Sequence, residues 1–294
     1  MGCVVDQDTL TCLDAIQWLR TTEEAAKRFR CSMSTISRQT NRCLDIFRLE
    51  LKRINGEWDT IGDTKLLLMQ RRIHQKARWM GSRILRLEAT YWSGPLLCTP
   101  TPERWLLGPC NIVGIRRNFK LLRERIIDTY ITGLPDLPSP DDAELTAFIL
   151  SSMPVFFVAN PDHPLTKKSK LTFNDIAMYP TLALPRGEYP MVEKSLRELG
   201  LWNDPIRMAR YRRELWEGKT ETDLTIGYAT ALSMKISGEN LARLPLNLPF
   251  NSGEAIVVRR EFSAHQEIIK LRELLQERLY NFATQNPEIK LLNS

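Results

Sequence analysis

Over residues 10–53 the apolar positions recur at intervals of three and four, the period of helices that bury one face. Leu13, Ile16 and Leu19 begin the first such face. A second helix is predicted over about Thr22–Arg30, carrying Ala25, Ala26 and Phe29. Thr21 with Glu24 has the spacing of a capping box, in which hydroxyl and carboxylate each satisfy a free amide. After a break at Cys31, Ser32 is placed to cap a third helix reaching about Leu49. Its inner face is Ile36, Thr40, Cys43, Leu44 and Phe47; its outer face is Met33, Ser34, Thr35, Ser37, Arg38, Asn41 and Arg42. Asn55-Gly56 between two short extended pieces predicts a hairpin.

From Asp63 to Leu87 the apolar residues fall on a heptad: Leu66, Ile73, Met80 and Leu87 in one series, Gln70, Ala77 and Ile84 in the other. That pattern predicts one long helix pairing with a second copy through Leu66, Ile73, Ala77, Met80 and Ile84. The alternative is an amphipathic helix docked on its own domain. Beyond residue 87, short apolar runs at 84–89, 111–115, 129–132, 155–159, 181–184, 231–234 and 254–258 alternate with helical stretches at 120–127, 173–178, 190–199 and 265–282. Such alternation predicts an α/β fold with mostly parallel sheets. Pro135, Pro138 and Pro140 mark a surface loop, and Arg210-Tyr211-Arg212-Arg213 reads as a solvated strand edge.

Length changes the picture first: 294 residues suggest more than one domain, and 43% hydrophobic residues suffice for cores. No apolar run approaches the roughly 20 residues of a bilayer span, and MGCVVDQDTL is acidic where a signal peptide would be basic. A cytoplasmic location without membrane contact is expected. The six cysteines form no CxxC pair and the three histidines are scattered, so no zinc site is expected and the thiols read as reduced. Residues 1–86 hold 16 Lys/Arg against 10 Asp/Glu, whereas 87–294 hold 25 of each, which suggests a polyanion-binding module attached to a neutral one. GxSxG, P-loop, GxGxxG and HExxH patterns are absent, so neither catalysis nor a cofactor is expected. His163 reads as part of a proline-bounded turn, and His265 as the start of the last helix. Cys98 and Cys110 lack the cationic neighbours that make a reactive thiolate.

A short helix with paired alanines, a tight turn and a second helix with a polar outer face is how a helix-turn-helix is built; an ordinary three-helix core is the other reading. The segment Ala25–Phe47 resembles the helix-turn-helix of LysR-type transcriptional regulators in its Ala-Ala pair, its Ser32 and its Ile36-Ser37-Arg38-Gln39 run. The likeness continues in order through Asp128–Gly133, Val155–Leu165 and Thr225–Leu232. Departures fall at Arg20-Thr21-Thr22, at Phe47–Arg53 and in the proline-rich Leu96–Pro109, which bear on the wing and one wall of an effector site.

The resemblance implies a winged helix-turn-helix over 1–62, a linker helix over 63–87 that pairs protomers, and a two-lobed effector domain over 88–294 like periplasmic solute-binding proteins. Lobe one would hold 88–160 and 240–294, and lobe two 161–239. The implied DNA-contacting residues are Thr22, Ser32, Ser34, Thr35, Ser37, Arg38, Arg42, Lys52 and Arg53, with Ser34, Thr35 and Arg38 reading bases. The implied effector residues are Ser93, Thr132, Gly133, Arg186 and Gly227, with Trp92 and Tyr228 as an aromatic wall around a small polar ligand such as a carboxylate. Ser93 could instead cap a helix, Arg186 sit in a surface turn and Gly227 serve packing. The implied partners are double-stranded DNA, a second copy or a tetramer, and RNA polymerase as a further candidate. The rival from another class is a cytosolic small-molecule-binding or metabolic enzyme dimerised by its N-terminal helices.

Overall fold

The computed structural model describes residues 6–201, 204–237 and 240–292. The chain opens with α1 (Gln7–Leu19), α2 (Thr22–Phe29), α3 (Met33–Phe47), β1 (Glu50–Ile54), β2 (Glu57–Ile61), α4 (Lys65–Trp79) and β3 (Leu85–Ala89). Then come α5 (Ser93–Leu97), β4 (Trp105–Leu107), α6 (Arg116–Arg123), β5 (Thr129–Gly133), β6 (Leu145–Ile149), β7 (Ser151–Ala159) and α7 (Phe173–Ala177). The remainder is β8 (Leu182–Ala183), α8 (Pro190–Glu198), β9 (Asp204–Pro205), α9 (Glu217–Thr222), β10 (Gly227–Ala229), α10 (Ala231–Ser237), β11 (Ala242–Ser252), β12 (Glu254–Arg259), α11 (Gln266–Ala283) and β13 (Lys290–Leu291). The chain divides into two compact units, one of residues 1–88, 103–109 and 119–129, the other of 89–102, 110–118 and 130–294. Among the described residues no helix is long and apolar enough to cross a membrane.

The first unit begins as its periodicity predicts. Leu10, Leu13, Cys43, Leu44, Leu49 and Leu67 form its core, and the buried Ala25 and Ala26 carry no bulk at the inner face of α2. Thr21 accepts the Glu24 amide at 3.1 Å, but the Glu24 carboxylate turns along the helix to Arg28 at 2.9 Å. The expected capping box is therefore a single cap, because an i,i+4 ion pair competes for the carboxylate. Ser32 caps α3 by accepting the Thr35 amide. The β1–β2 hairpin turns at Asn55 and Gly56, both at positive φ, as a two-residue turn of mirror-image type requires.

The linker helix departs from its prediction. It ends at Trp79, because Gly81 adopts φ +93° and the amides of Gly81 and Ser82 turn back to the carbonyls of Arg78 and Ala77. Ile84 and Leu87 are thus not on the helix; Leu87 is buried in β3, which pairs in parallel with β4. Beside Leu67 and Trp79, α4 also buries a polar face. Arg71, Gln75 and Arg78, spaced for one face, are buried, whereas Leu66 (66% exposed), Met69 and Ile73 (61%) face outward, with Met80 (86%) just beyond the end.

Two buried carboxylates explain the inward face. Asp14 takes Arg71 Nε at 2.9 Å and Arg86 Nη1 at 3.0 Å. Asp128 is held in a two-pronged pair by Arg78, at 2.8 and 2.9 Å, and also accepts Gln75 Nε2 and the Arg86 amide. Every charge here has a partner in reach, the condition under which ions tolerate burial.

In the second unit β7 lies between β10 and β11 and also pairs with β13, every pairing antiparallel, while β5, β12 and β6 neighbour one another in that order. With β12–β6 antiparallel and β8–β9 parallel, the sheets are mixed, not mostly parallel as expected. Pro245 and Pro249 lie in β11, where the register with β7 shifts, the kind of place a strand admits proline. Three local expectations fail. Residues 111–115 make one isolated bridge, Ile112 to Arg210, and no strand. Residues 231–234 are helix, the strand being Gly227–Ala229. The helix expected over 120–127 starts earlier, as α6. His163 and His265 each cap the helical segment that follows, their ring Nδ1 accepting an amide at 3.2 Å.

Because Asp128 is wholly buried against Arg78, its removal strands a guanidinium in the interior. Asp128→Ala is expected to lower unfolding stability by about 3–5 kcal/mol. Urea unfolding followed by circular dichroism checks this, and a loss of less than about 1 kcal/mol, typical of an exposed pair, would contradict it.

Candidate functional site

Two places gather functional side chains, one in each unit. In the first, α3 presents Ser34, Ser37, Arg38, Asn41 and Arg42 to solvent, with Thr35 half-buried. The hydroxyl of Ser32 lies 2.8 Å from that of Ser34 and 2.9 Å from that of Thr35, so the three form one cluster at the helix start. Thr22, the first residue of α2, is half-buried. Arg38 and Arg42 have no hydrogen bond or ion pair among the described residues, so their charge is available to a phosphate or a base edge. The cations expected to contact DNA from the hairpin are engaged within it. Lys52 lies 2.7 Å from Glu50, and Arg53 donates to the Gly56 carbonyl at 3.2 Å and stands 5.9 Å from the Trp58 ring.

In the second unit a cavity of about 90 Å³ is lined by Tyr91, Trp92, Val113, Gly133, Leu134, Val155, Leu184, Tyr189, Val192, Met208, Tyr211, Trp216, Tyr228, Ala229, Thr230, Ser233, Phe250 and Ser252. Seven of these are aromatic and none is charged, so the cavity offers an apolar, ring-lined interior. Tyr91 and Tyr211 stack with centroids 3.7 Å apart and planes within 5°. Trp92 donates its indole N–H to Glu254 at 3.0 Å, and Tyr211 its hydroxyl to Glu217 at 2.7 Å. Burial raises the pKa of the phenols of Tyr91, Tyr189, Tyr211 and Tyr228, which keeps them neutral.

Of the residues expected at an effector site, the fold brings Gly133 into this cavity, with Trp92 and Tyr228. A Cβ on Gly133 would stand 3.0 Å from the Trp92 ring. Thr132 is buried one residue away, its hydroxyl without a hydrogen bond among the described residues. Ser93 is buried at the start of α5, its amide donating to the Thr90 hydroxyl at 3.2 Å and its own hydroxyl accepting from that group at 2.8 Å. Gly227 packs in β10, where a Cβ would meet Thr220 Oγ1 at 2.9 Å. Arg186 is exposed in a separate cluster with Arg116, Lys194 and Arg197. No cation lines this cavity for the expected carboxylate, and its walls are mainly aromatic and aliphatic. The sequence reading missed Tyr91, Tyr189, Tyr211, Trp216 and Phe250. The available signal was the gathering of tyrosine and tryptophan at 189–228, where Tyr211 was taken for part of a solvated edge.

Residues 116–207 match the family model of the LysR substrate binding domain. The matched segment supplies Gly133, Leu134, Val155, Leu184, Tyr189 and Val192 of the cavity, the other walls lying outside it. No curated protein matches the chain in sequence. Among solved structures, full-length OxyR from Pseudomonas aeruginosa, in a cysteine-to-aspartate form, is similar with a TM-score of 0.58 at 16% identity, covering 94% of this chain and 95% of that one. Full-length CbnR complexed with its target DNA gives 0.53 at 16% identity over 92% and 98%. The regulatory domain of MetR from N. meningitidis, a LysR family regulator, gives 0.54 at 14% identity over 71% and 99%. The chain thus shares the fold of OxyR and CbnR over nearly its whole length.

Glu254, behind Trp92, is buried, and burial raises its carboxyl above the usual range while Ser151 and Trp92 oppose by donating to it. A raised folded pKa favours the neutral form. Its contribution is complete below the ordinary glutamate pKa and is lost as pH rises through the folded one. Glu254→Gln, permanently neutral, is therefore expected to gain stability relative to the wild type as pH rises above the ordinary glutamate range. Thermal melts from that range upward check this; a constant difference between the two proteins contradicts it.

Proposed function

We propose that the chain is a sequence-specific DNA-binding transcriptional regulator of LysR type, acting in the cytoplasm as a dimer or tetramer, with a small effector in the aromatic cavity. The observation that carries this reading is the outer face of α3. Capped at Ser32 and held on a three-helix core, it offers hydroxyls followed by Arg38 and Arg42 at helical spacing. A recognition helix in a major groove uses such a face, bases read by its first turns and phosphates by flanking cations. The Asn55-Gly56 hairpin stands where a wing would, and the net positive charge of residues 1–86 supplies the long-range attraction. CbnR, solved on its target DNA, shares the fold and supports the assignment.

Dimerisation is proposed through the outward stripe of α4. Leu66, Met69 and Ile73 stand exposed at helical spacing, with Ala77 half-buried on the same face. This replaces the longer heptad that included Ile84. Two copies of a half-site reader set the spacing of a two-fold operator, so the stripe and α3 work together. An effector that prefers one lobe arrangement would change operator affinity through this dimer, with RNA polymerase as a downstream partner.

Arg38→Ala is expected to weaken binding to a selected operator duplex by about 1–3 kcal/mol while leaving the melting temperature within a degree or so. Fluorescence anisotropy with parallel melts decides it; unchanged binding in a protein that melts early would make Arg38 structural. Ile73→Glu places a charge on an already exposed site, so the folded chain keeps its stability but loses its partner. Sedimentation velocity should show the smaller species, and a variant that stays the size of the wild type would remove α4 from the interface.

A further inference from the structure

In the second unit, the polar ends of the cavity wall are engaged by the protein itself. Trp92 donates its indole N–H to Glu254 at 3.0 Å, Tyr211 its hydroxyl to Glu217 at 2.7 Å, and the Tyr189 hydroxyl accepts the Gly114 amide at 3.0 Å. The Tyr228 hydroxyl lies against the Leu184 backbone, and Thr230 and Ser233 exchange amide-to-hydroxyl hydrogen bonds with one another. What remains for a guest is chiefly carbon, the rings being joined by Leu134, Val155, Leu184 and Met208. The Ser252 hydroxyl, half-buried in the wall, makes no hydrogen bond among the described residues and is a polar group still to be met.

The charges around the wall are balanced or suppressed. Glu217 is in electrostatic contact with Arg213, so its carboxylate has a counter-charge. Burial raises the pKa of Glu254, and it does the same to Asp136 against the opposing amides of Met191 and Val192, which favours the neutral form of both. A cation would find no surplus of negative charge behind the wall, and a carboxylate no cation in it. Either would exchange its hydration shell for ring and aliphatic carbon, and an unpaired ion is the costliest group to bury. An uncharged apolar guest gives up little water and gains contact over its whole surface. The cavity measures about 90 Å³, less than the roughly 150 Å³ apolar cavity that admits benzene, which limits the guest to about one ring.

We infer that this cavity takes a small uncharged apolar molecule, about one ring in size and carrying at most one neutral polar group. The inference rests on the proposal that the effector occupies the aromatic cavity.

The test is titration calorimetry of the full chain with three probes that share a ring and a one-carbon arm: benzyl alcohol, benzoate and benzylammonium. Benzyl alcohol is expected to bind, and each ion at least about tenfold more weakly, because neither finds a counter-charge in the wall. Ser252→Trp, which fills the cavity from its edge, should abolish binding of the alcohol. Thermal melts confirm that this variant is folded, and Ser252→Leu, a smaller fill, replaces it if it melts early. Either ion matching the alcohol, with binding lost in the filled variant, overturns the uncharged class and keeps the cavity as effector site. Binding of the alcohol undiminished in a folded filled variant removes the site itself. A wild type that binds none of the three overturns the uncharged class and leaves the DNA-binding proposal standing on its own test.

Discussion

The first unit depends on one interaction, the sharing of Arg71, Arg78 and Arg86 between the buried carboxylates of Asp14 and Asp128. Charges at such depth are tolerable only while each keeps its partner, so no rotation of α4 that withdrew Arg71 or Arg78 could be sustained. The network therefore decides which face of the helix points inward. With Arg71, Gln75 and Arg78 committed to the interior, Leu66, Met69 and Ile73 are left outside. A helix that leaves Leu66, Met69 and Ile73 exposed in one stripe is incomplete alone, and a second copy is the simplest completion. The proposed assembly is thus a consequence of where the carboxylates are.

The two units handle buried acid in contrasting ways. In the first, every buried carboxylate of the network has an arginine, which makes that part rigid and self-sufficient. In the second, Glu254 and Asp136 are satisfied by neutral donors only among the described residues, and they stand behind an aromatic cavity. Coupling of about 1–3 kcal/mol between ligand and DNA is all that a regulator needs.

What the sequence revealed follows from how local each signal is. The period of Leu13–Phe47, the caps at Thr21 and Ser32 and the Asn55-Gly56 turn involve neighbours a few residues apart, and each is found where it was expected. The linker failed because a heptad count scores apolar residues only. It ignored Arg71, Gln75 and Arg78, which also define a face, and passed over Gly81, where the helix stops. Strand β6 escaped because its partner β12 is over a hundred residues away, and β11 because its prolines argue against a strand unless the register shift is known. The cavity was the least legible. Its walls come from residues 91–92, 133–134, 155, 184–192, 208–216, 228–233 and 250–252, and nothing local ties Tyr91 to Tyr211 until the chain stacks them. Gly133, Trp92 and Tyr228 were reached only through resemblance.

The central claim is that the first unit reads DNA sequence and that its basic charge does more than make a soluble surface. Its most direct test is selection of duplexes from a random pool by the full chain, followed by affinity measurement on selected and scrambled DNA from about 50 to 200 mM salt. The account predicts enrichment of a two-fold symmetric sequence bound at least about 10³-fold more tightly than the scramble, with both affinities falling steeply and log-linearly as salt rises. A pool that returns no preferred sequence, with binding equal on both duplexes at every salt concentration, would contradict it.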